Sequence, residues 1–157
     1  MTMEKKYKLT DETINFCGKK LFRIKALKDF EDVKKGDKGG FIEDEHNLSH
    51  DGNSWVYGNA MVCGNARVYD NAIVYGNAWV YGNAKIENNF DYIVFKNWWS
   101  SGRYFTWTRS NDMWKVGCFY GTGEELIKKA YKDSEFSGRQ YERIVKYVEE
   151  IKKENGK

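Results

Sequence analysis

The residues of this chain equipped for chemistry are two histidines, three cysteines and one run of interleaved aromatic and basic side chains. His46 and His50 lie four residues apart, and either could serve as a general base if held in a cleft beside a reactive carbonyl. In a polar stretch the same two residues serve equally well as exposed or capping groups. Cys17, Cys63 and Cys118 are far apart, odd in number and without metal-ligand spacing, so they read as free thiols with no metal and no cofactor. The aromatic and basic run is Trp98, Trp99, Arg103, Tyr104, Trp107, Arg109, Trp114 and Lys115. Flat rings beside guanidinium groups suit a nucleobase with its phosphate, which makes Trp98, Trp99, Arg103, Trp107 and Arg109 the candidate ligand-binding set. The competing use of these tryptophans is the core of a small sheet. Gly39-Gly40 and Gly121-Thr122-Gly123 are too short to specify a phosphate loop.

Composition bounds what those residues serve. The chain has 157 residues and a net charge of +3, the size of one domain and too little charge to imply nucleic acid. Basic residues exceed acidic ones at both ends, whereas residues 41–90 carry two Lys/Arg against six Asp/Glu. Nucleic acid is therefore the least favoured partner. Aromatic residues make up 17% and proline is absent. With no apolar stretch long enough for a membrane helix or leader, and with free thiols, the expected setting is cytoplasmic.

The positioning element is a repeat. Asn recurs every sixth residue from Asn47 through Asn53, Asn59, Asn65, Asn71, Asn77 and Asn83 to Asn89. Three places after it stand Val56, Val62, Val68, Val74, Val80 and Ile86, and directly after it a small residue such as Ala60 or Ala66. A fixed period of six marks a solenoid. In Ala-x-Val-Tyr-Gly-Asn the first four residues alternate, pointing Ala and Val inward. Gly-Asn then supplies the corner through its tolerance of left-handed backbone angles, and successive Asn side chains are expected to stack as a ladder.

Residues 41–90 resemble the left-handed β-helix hexapeptide family, which implies three units per triangular coil. Residues eighteen apart would then stack. One outward face shows Trp55, Tyr57, Ile73 and Tyr75, a second Met61, Cys63, Trp79 and Tyr81, and a third Asp51, Arg67, Tyr69, Lys85 and Glu87. Fewer than three coils make a column ~10–15 Å tall. Two apolar faces on so short a column need covering, by the flanking segments or by other copies. The expectation is a homotrimer, the family's common assembly, with Trp55, Tyr57, Ile73, Tyr75, Met61, Trp79 and Tyr81 as oligomer or partner surface.

The flanks complete a mainly β architecture of three parts: an N-terminal β cap (1–40), the hexapeptide β-helix (41–90) and a small C-terminal α+β domain (91–157). In the first, a hairpin turns near Cys17-Gly18, its second arm setting Phe22, Ile24 and Ala26 on one side. In the last, strands are expected at 91–96, 103–109 and 113–119. Thr122-Gly123-Glu124-Glu125 opens one helix as a capping box, and a second carries Tyr141, Ile144, Val145, Val148 and Ile151 on one stripe, with a frayed tail from Lys152.

The opening Gly39-Gly40-Phe41-Ile42-Glu43, the following repeat and Cys118-Phe119-Tyr120-Gly121-Thr122 resemble hexapeptide-repeat proteins of phages and prophages. That resemblance implies a phage-encoded, non-enzymatic binding protein acting in the infected bacterial cell. It would counter host defence by sequestering a small anionic, nucleotide-type ligand in clefts between subunits. Two alternatives stand beside it. One is direct inhibition of a host defence protein. The other is an acyltransferase, a common activity of the hexapeptide family, with His46 or His50 as base.

Overall fold

A computed structural model describes residues 4–154. The repeat forms six two-residue strands: β4 (Trp55–Val56), β5 (Met61–Val62), β6 (Arg67–Val68), β7 (Ile73–Val74), β8 (Trp79–Val80) and β9 (Lys85–Ile86). They lie in three parallel ladders, with Trp55 opposite Ile73, Met61 opposite Trp79 and Arg67 opposite Lys85. Each pairing spans eighteen residues, three hexapeptides per coil. Val56, Val62, Val68, Val74, Val80, Ile86 and the repeat alanines Ala60 to Ala84 are wholly buried, so the predicted dry interior is present. At the corners Gly58, Gly64, Gly76 and Gly82 have φ near +60 to +70°, and Asp70, in the same slot, takes φ +57°.

Before the repeat, β1 (Tyr7–Phe16) and β2 (Lys19–Ala26) form an antiparallel hairpin, and β3 (Lys38–Ile42) joins it to the solenoid. The sheet order is β1-β2-β3-β5-β8, antiparallel through the hairpin and parallel from β3 onward. Cys17 and Gly18 both have positive φ, as a two-residue primed hairpin turn requires. Ile24 and Ala26 are buried in the solenoid core, Phe22 is only half-buried, and Leu21 is buried in a separate cluster with Phe41, Met61 and Cys63.

After the repeat, β10 (Tyr92–Lys96), β11 (Tyr104–Thr108), β12 (Met113–Val116) and β13 (Phe119–Gly121) form an antiparallel sheet in that order. Three strands were expected. The third run divides at Gly117, whose φ of +58° reverses the chain. Helix α1 (Gly123–Asp133) starts at the Thr122–Glu125 capping box, and α2 (Glu135–Glu154) buries Tyr141, Val145 and Val148 against Phe105, Trp107 and Trp114. Lys152–Glu154 belong to this helix rather than to a frayed tail, and residues 155–157 lie outside the described part. No helix among the described residues is long and apolar enough to cross a membrane.

Three further expectations are corrected. The Asn series is not regular at its start, because the first coil holds two extra residues between Leu48 and Trp55. Leu48 pairs with Val68 at a separation of twenty, whereas Trp55 pairs with Ile73 at eighteen. Asn47 therefore sits in a 3-10 turn (Glu45–Asn47) with its side chain buried. Its Oδ1 accepts from the Glu43 and Asp44 amides, and its Nδ2 donates to the Gly64 and Ala66 carbonyls. No Asn ladder forms among the described residues. The link from Asn to the next coil's Asn runs from the Asn53 backbone N–H to Asn71 Oδ1 at 3.3 Å. Finally, Cys17 and Cys118 are joined in a disulfide, and only Cys63 is a free, buried thiol. The hairpin tip and the β12–β13 turn both lie over the Trp79 face, and that brings the two cysteines together.

Candidate ligand cavity at the solenoid–sheet junction

The chain leaves its last coil through a tight, side-chain-braced turn. Asp91 Oδ2 accepts from the Glu87 and Asn88 amides at 2.8 and 3.1 Å, and Asn88 Oδ1 accepts from the Phe90 amide at 2.8 Å. This bracing throws the Phe90 ring outward, 78% exposed. Next, Asn89 Oδ1 accepts from the Ile73 amide and the Tyr92 hydroxyl donates to the Ile73 carbonyl, which pins β10 beneath the coil. Burial pushes the Tyr92 hydroxyl up to about 12.

Between this turn, β11 and the last turn of α2 lies a cavity of about 640 Å³. Phe90, Tyr92, Ile93, Trp107 and Ile151 wall it, and Asn88, Asn89, Arg109 and Lys152 provide its polar groups. Trp107 is core-buried and donates its indole N–H to Asp112 Oδ1 at 2.8 Å. Asp112 Oδ2 accepts from the Lys152 ammonium at 2.7 Å, and this carboxylate, helped by Glu149, raises the Lys152 pKa. One carboxylate thus fixes both a wall and a cation. Arg109 is less committed. Its Nε stands 3.9 Å from Asp91 Oδ1, and the side chain is 44% exposed. The guanidinium fork is free to take up an anion. The lining offers donors and ring faces for holding a molecule, and none of its members forms a nucleophile–base pair.

The predicted ligand set is divided by the fold. Trp107 and Arg109 meet at this cavity. Trp98 and Trp99 lie beyond the other end of β10, where Trp99 Nε1 donates to Ser137 Oγ and Trp98 stands edge-on to Phe136. Arg103 lies across the β12–β13 turn near the disulfide. Asn88, Asn89, Phe90, Tyr92, Ile151 and Lys152 were not anticipated. One signal was available, since Phe90 breaks the run from Ser54 to Ala84 of small residues in the slot after the repeat Asn.

The outward solenoid residues are largely covered by the chain itself. Trp55 is enclosed by Tyr7 and Phe30, and the Tyr57 hydroxyl donates to Asp32 at 2.6 Å. Met61 and Cys63 pack with Leu21 and Phe41. Trp79 lies against Phe16, and Tyr81 against Tyr120 and the Lys115 ammonium. Ile73 is half-buried, leaving Tyr75, at 59%, as the exposed member of the group. The need for cover that pointed to a trimer is largely met within one chain. His50 stacks on Tyr7, its Nδ1 accepts from the Lys6 amide, and its Nε2–H therefore donates to Glu45. His46 Nε2 faces the Gly64 carbonyl at 2.8 Å, with Nδ1 beside Asp44. Both rings brace the first coil.

Residues 66–82 match the family profile described as YdcK Beta solenoid repeat. The match covers one coil's length, from Ala66 to Gly82, and agrees with the three-ladder geometry of that segment. A search of curated proteins finds no match. The similarity is to a solenoid repeat, and the junction cavity lies outside the matched residues.

Proposed function

We propose that this chain is a non-enzymatic binding protein that holds a small anionic ligand with a planar ring in the cavity at Arg109. The observation that carries this reading is one weakly paired guanidinium at the mouth of an apolar, ring-walled cavity of about 640 Å³. Cavities of that size and mixed lining are the usual form of small-molecule sites. The site forms within a single chain, so the proposal does not need clefts between subunits. We further propose that the three ladders wind as a left-handed triangular coil. A phage source and a role against host defence enter as the setting suggested by sequence resemblance.

The alternatives have less support. An acyltransferase base needs a free imidazole nitrogen in a cleft, and both histidines are engaged with the first coil. Inhibition of a host protein through Trp79 and Tyr75 loses Trp79 to Phe16, which leaves Tyr75 as the exposed part of that surface.

The test is direct. The protein is purified from its native source, denatured, and the released small molecules are identified by mass spectrometry. The reading expects a ring-bearing anion, chemically unchanged and absent from Arg109→Ala. The same molecule on Arg109→Ala, or a molecule altered by incubation with the protein, would contradict it.

A further inference from the structure

At its other end, the C-terminal sheet overhangs the solenoid corner at Asn77. Two open cavities of about 390 and 560 Å³ lie there on either side of the Tyr104 ring, sharing Asn77 and Tyr104. The smaller is walled by Phe16 and Trp79, the larger by Tyr75 and the inner side of β10. Two cations reach this place. Arg103 lines the smaller cavity across Gly117, and the Lys96 ammonium stands 5.9 Å from the Tyr104 ring centroid. Among the described residues neither side chain has an ion pair or hydrogen bond, and neither cavity has an acidic residue in its lining. The Arg109 cavity differs, since Asp112 and Glu149 answer its Lys152 at 2.7 and 3.1 Å and Asp91 stands 3.9 Å from its Arg109.

We propose that this overhang is a second ligand site, for a nucleoside monophosphate or a molecule of the same chemistry. Arg103 and Lys96, both exposed and without an acidic partner among the described residues, receive the phosphate through charge-assisted hydrogen bonds. Tyr104 and Trp79 offer ring faces for the base, reinforced by the adjacent guanidinium. Asn77 lines both cavities, and its carboxamide can pair with the base edge. The wall opposite Arg103 is the hairpin tip, and it is held by the cross-link. Cys118 lines the cavity itself, and Phe16 directly precedes Cys17. An intact disulfide therefore preorganises the site, and its reduction to two thiols frees one wall. The larger cavity shares Asn89, Tyr92 and Ile93 with the Arg109 cavity, but Arg103, Tyr104, Trp79 and Asn77, on which this inference rests, line none of it.

The test titrates adenosine 5′-monophosphate into the full, oxidised chain, followed by side-chain and amide NMR shifts. The expected result is saturable movement of the Trp79 indole and Tyr104 signals. Adenosine alone and inorganic phosphate alone should bind at least tenfold more weakly. Arg103→Ala and Tyr104→Ala should each weaken the Trp79 response at least tenfold, and dithiothreitol should weaken it several-fold. Arg67→Ala, on the solvated third face, should leave it unchanged. The proposal is overturned if shifts are confined to Phe90, Trp107 and Arg109, if Arg103→Ala leaves the Trp79 response intact, or if reduction has no effect.

Discussion

Lys6 shows how single side chains finish a solenoid. Its side chain is wholly buried with no carboxylate partner among the described residues, and its ammonium donates to the Ser54 carbonyl at 2.5 Å and to Ser54 Oγ at 3.2 Å. Desolvation, with Lys28 nearby, lowers its pKa from 10.5 to about 8. Between these two values the unfolded chain binds more protons than the native one, so this group makes stability rise with pH. Below about pH 8 it is charged in both states and its burial cost is complete. Denaturant titrations at pH 8 and 10 should show that rise in the native sequence and a flatter response in Lys6→Met. Asn47 carries four hydrogen bonds, its full capacity. Asn47→Ala should therefore cost about 2–4 kcal/mol in urea melts, against under about 1 kcal/mol for exposed Asn71→Ala. Asp70 holds a left-handed angle that glycine takes elsewhere, and Asp70→Gly should be neutral or stabilising by about 1 kcal/mol. The corner glycines were legible in the sequence because each unit repeats the same demand. Asn47 was misread because its spacing kept the period while the two extra residues beside it changed its role.

The elements at the two ends satisfy backbone groups of the outermost coils. Along the repeat, each coil's amides donate to carbonyls of the coil below, as Trp55 does to Ala72 and Met61 to Ala78. At either end the outermost coil has no further coil to pair with, and the last coil presents both the amide and the carbonyl of Ile73. The N-terminal segment supplies donors, Lys6 to Ser54 and the Tyr7 hydroxyl to Leu48. The C-terminal part supplies one acceptor per ladder: Asn89 to Ile73, Thr106 to Trp79 and Ser110 to Lys85. Each satisfies a backbone group that no further coil is there to pair. Thr106→Val removes the Trp79 acceptor at nearly constant volume. It should cost about 1–3 kcal/mol, read as lost denaturant stability and faster hydrogen exchange at the Trp79 amide. That caps were needed was legible from the shortness of the repeat. Which residues would cap was not, because acceptors such as Thr106 and Ser110 act across the fold rather than within a motif. The Arg109 cavity escaped notice for the same reason, since its walls come from 88–93, 107–109 and 151–152.

At the scale of the whole molecule, the two flanks meet over the solenoid and are stitched there. The disulfide closes a separation of 101 residues, a loop long enough to restrict the unfolded chain substantially. Cys17→Ser should lower stability by about 2–4 kcal/mol in equilibrium unfolding, and dithiothreitol should reproduce the loss in the native sequence but not in the variant. Free thiols were expected because Cys17 and Cys118 share no spacing signature. Only the docking of the hairpin tip and the β12–β13 turn on one face reveals the pair. The same docking covers Trp79 and Tyr81, which as a sequence pattern looked like a surface awaiting a partner.

Binding at the junction cavity is decided most directly by a crystal structure of the protein carrying the ring-bearing anion released from native material. The account predicts density for that molecule between Phe90 and Trp107, with its anionic group on the Arg109 guanidinium. Density for it elsewhere on the chain, with Arg109 still turned toward Asp91, would contradict the account.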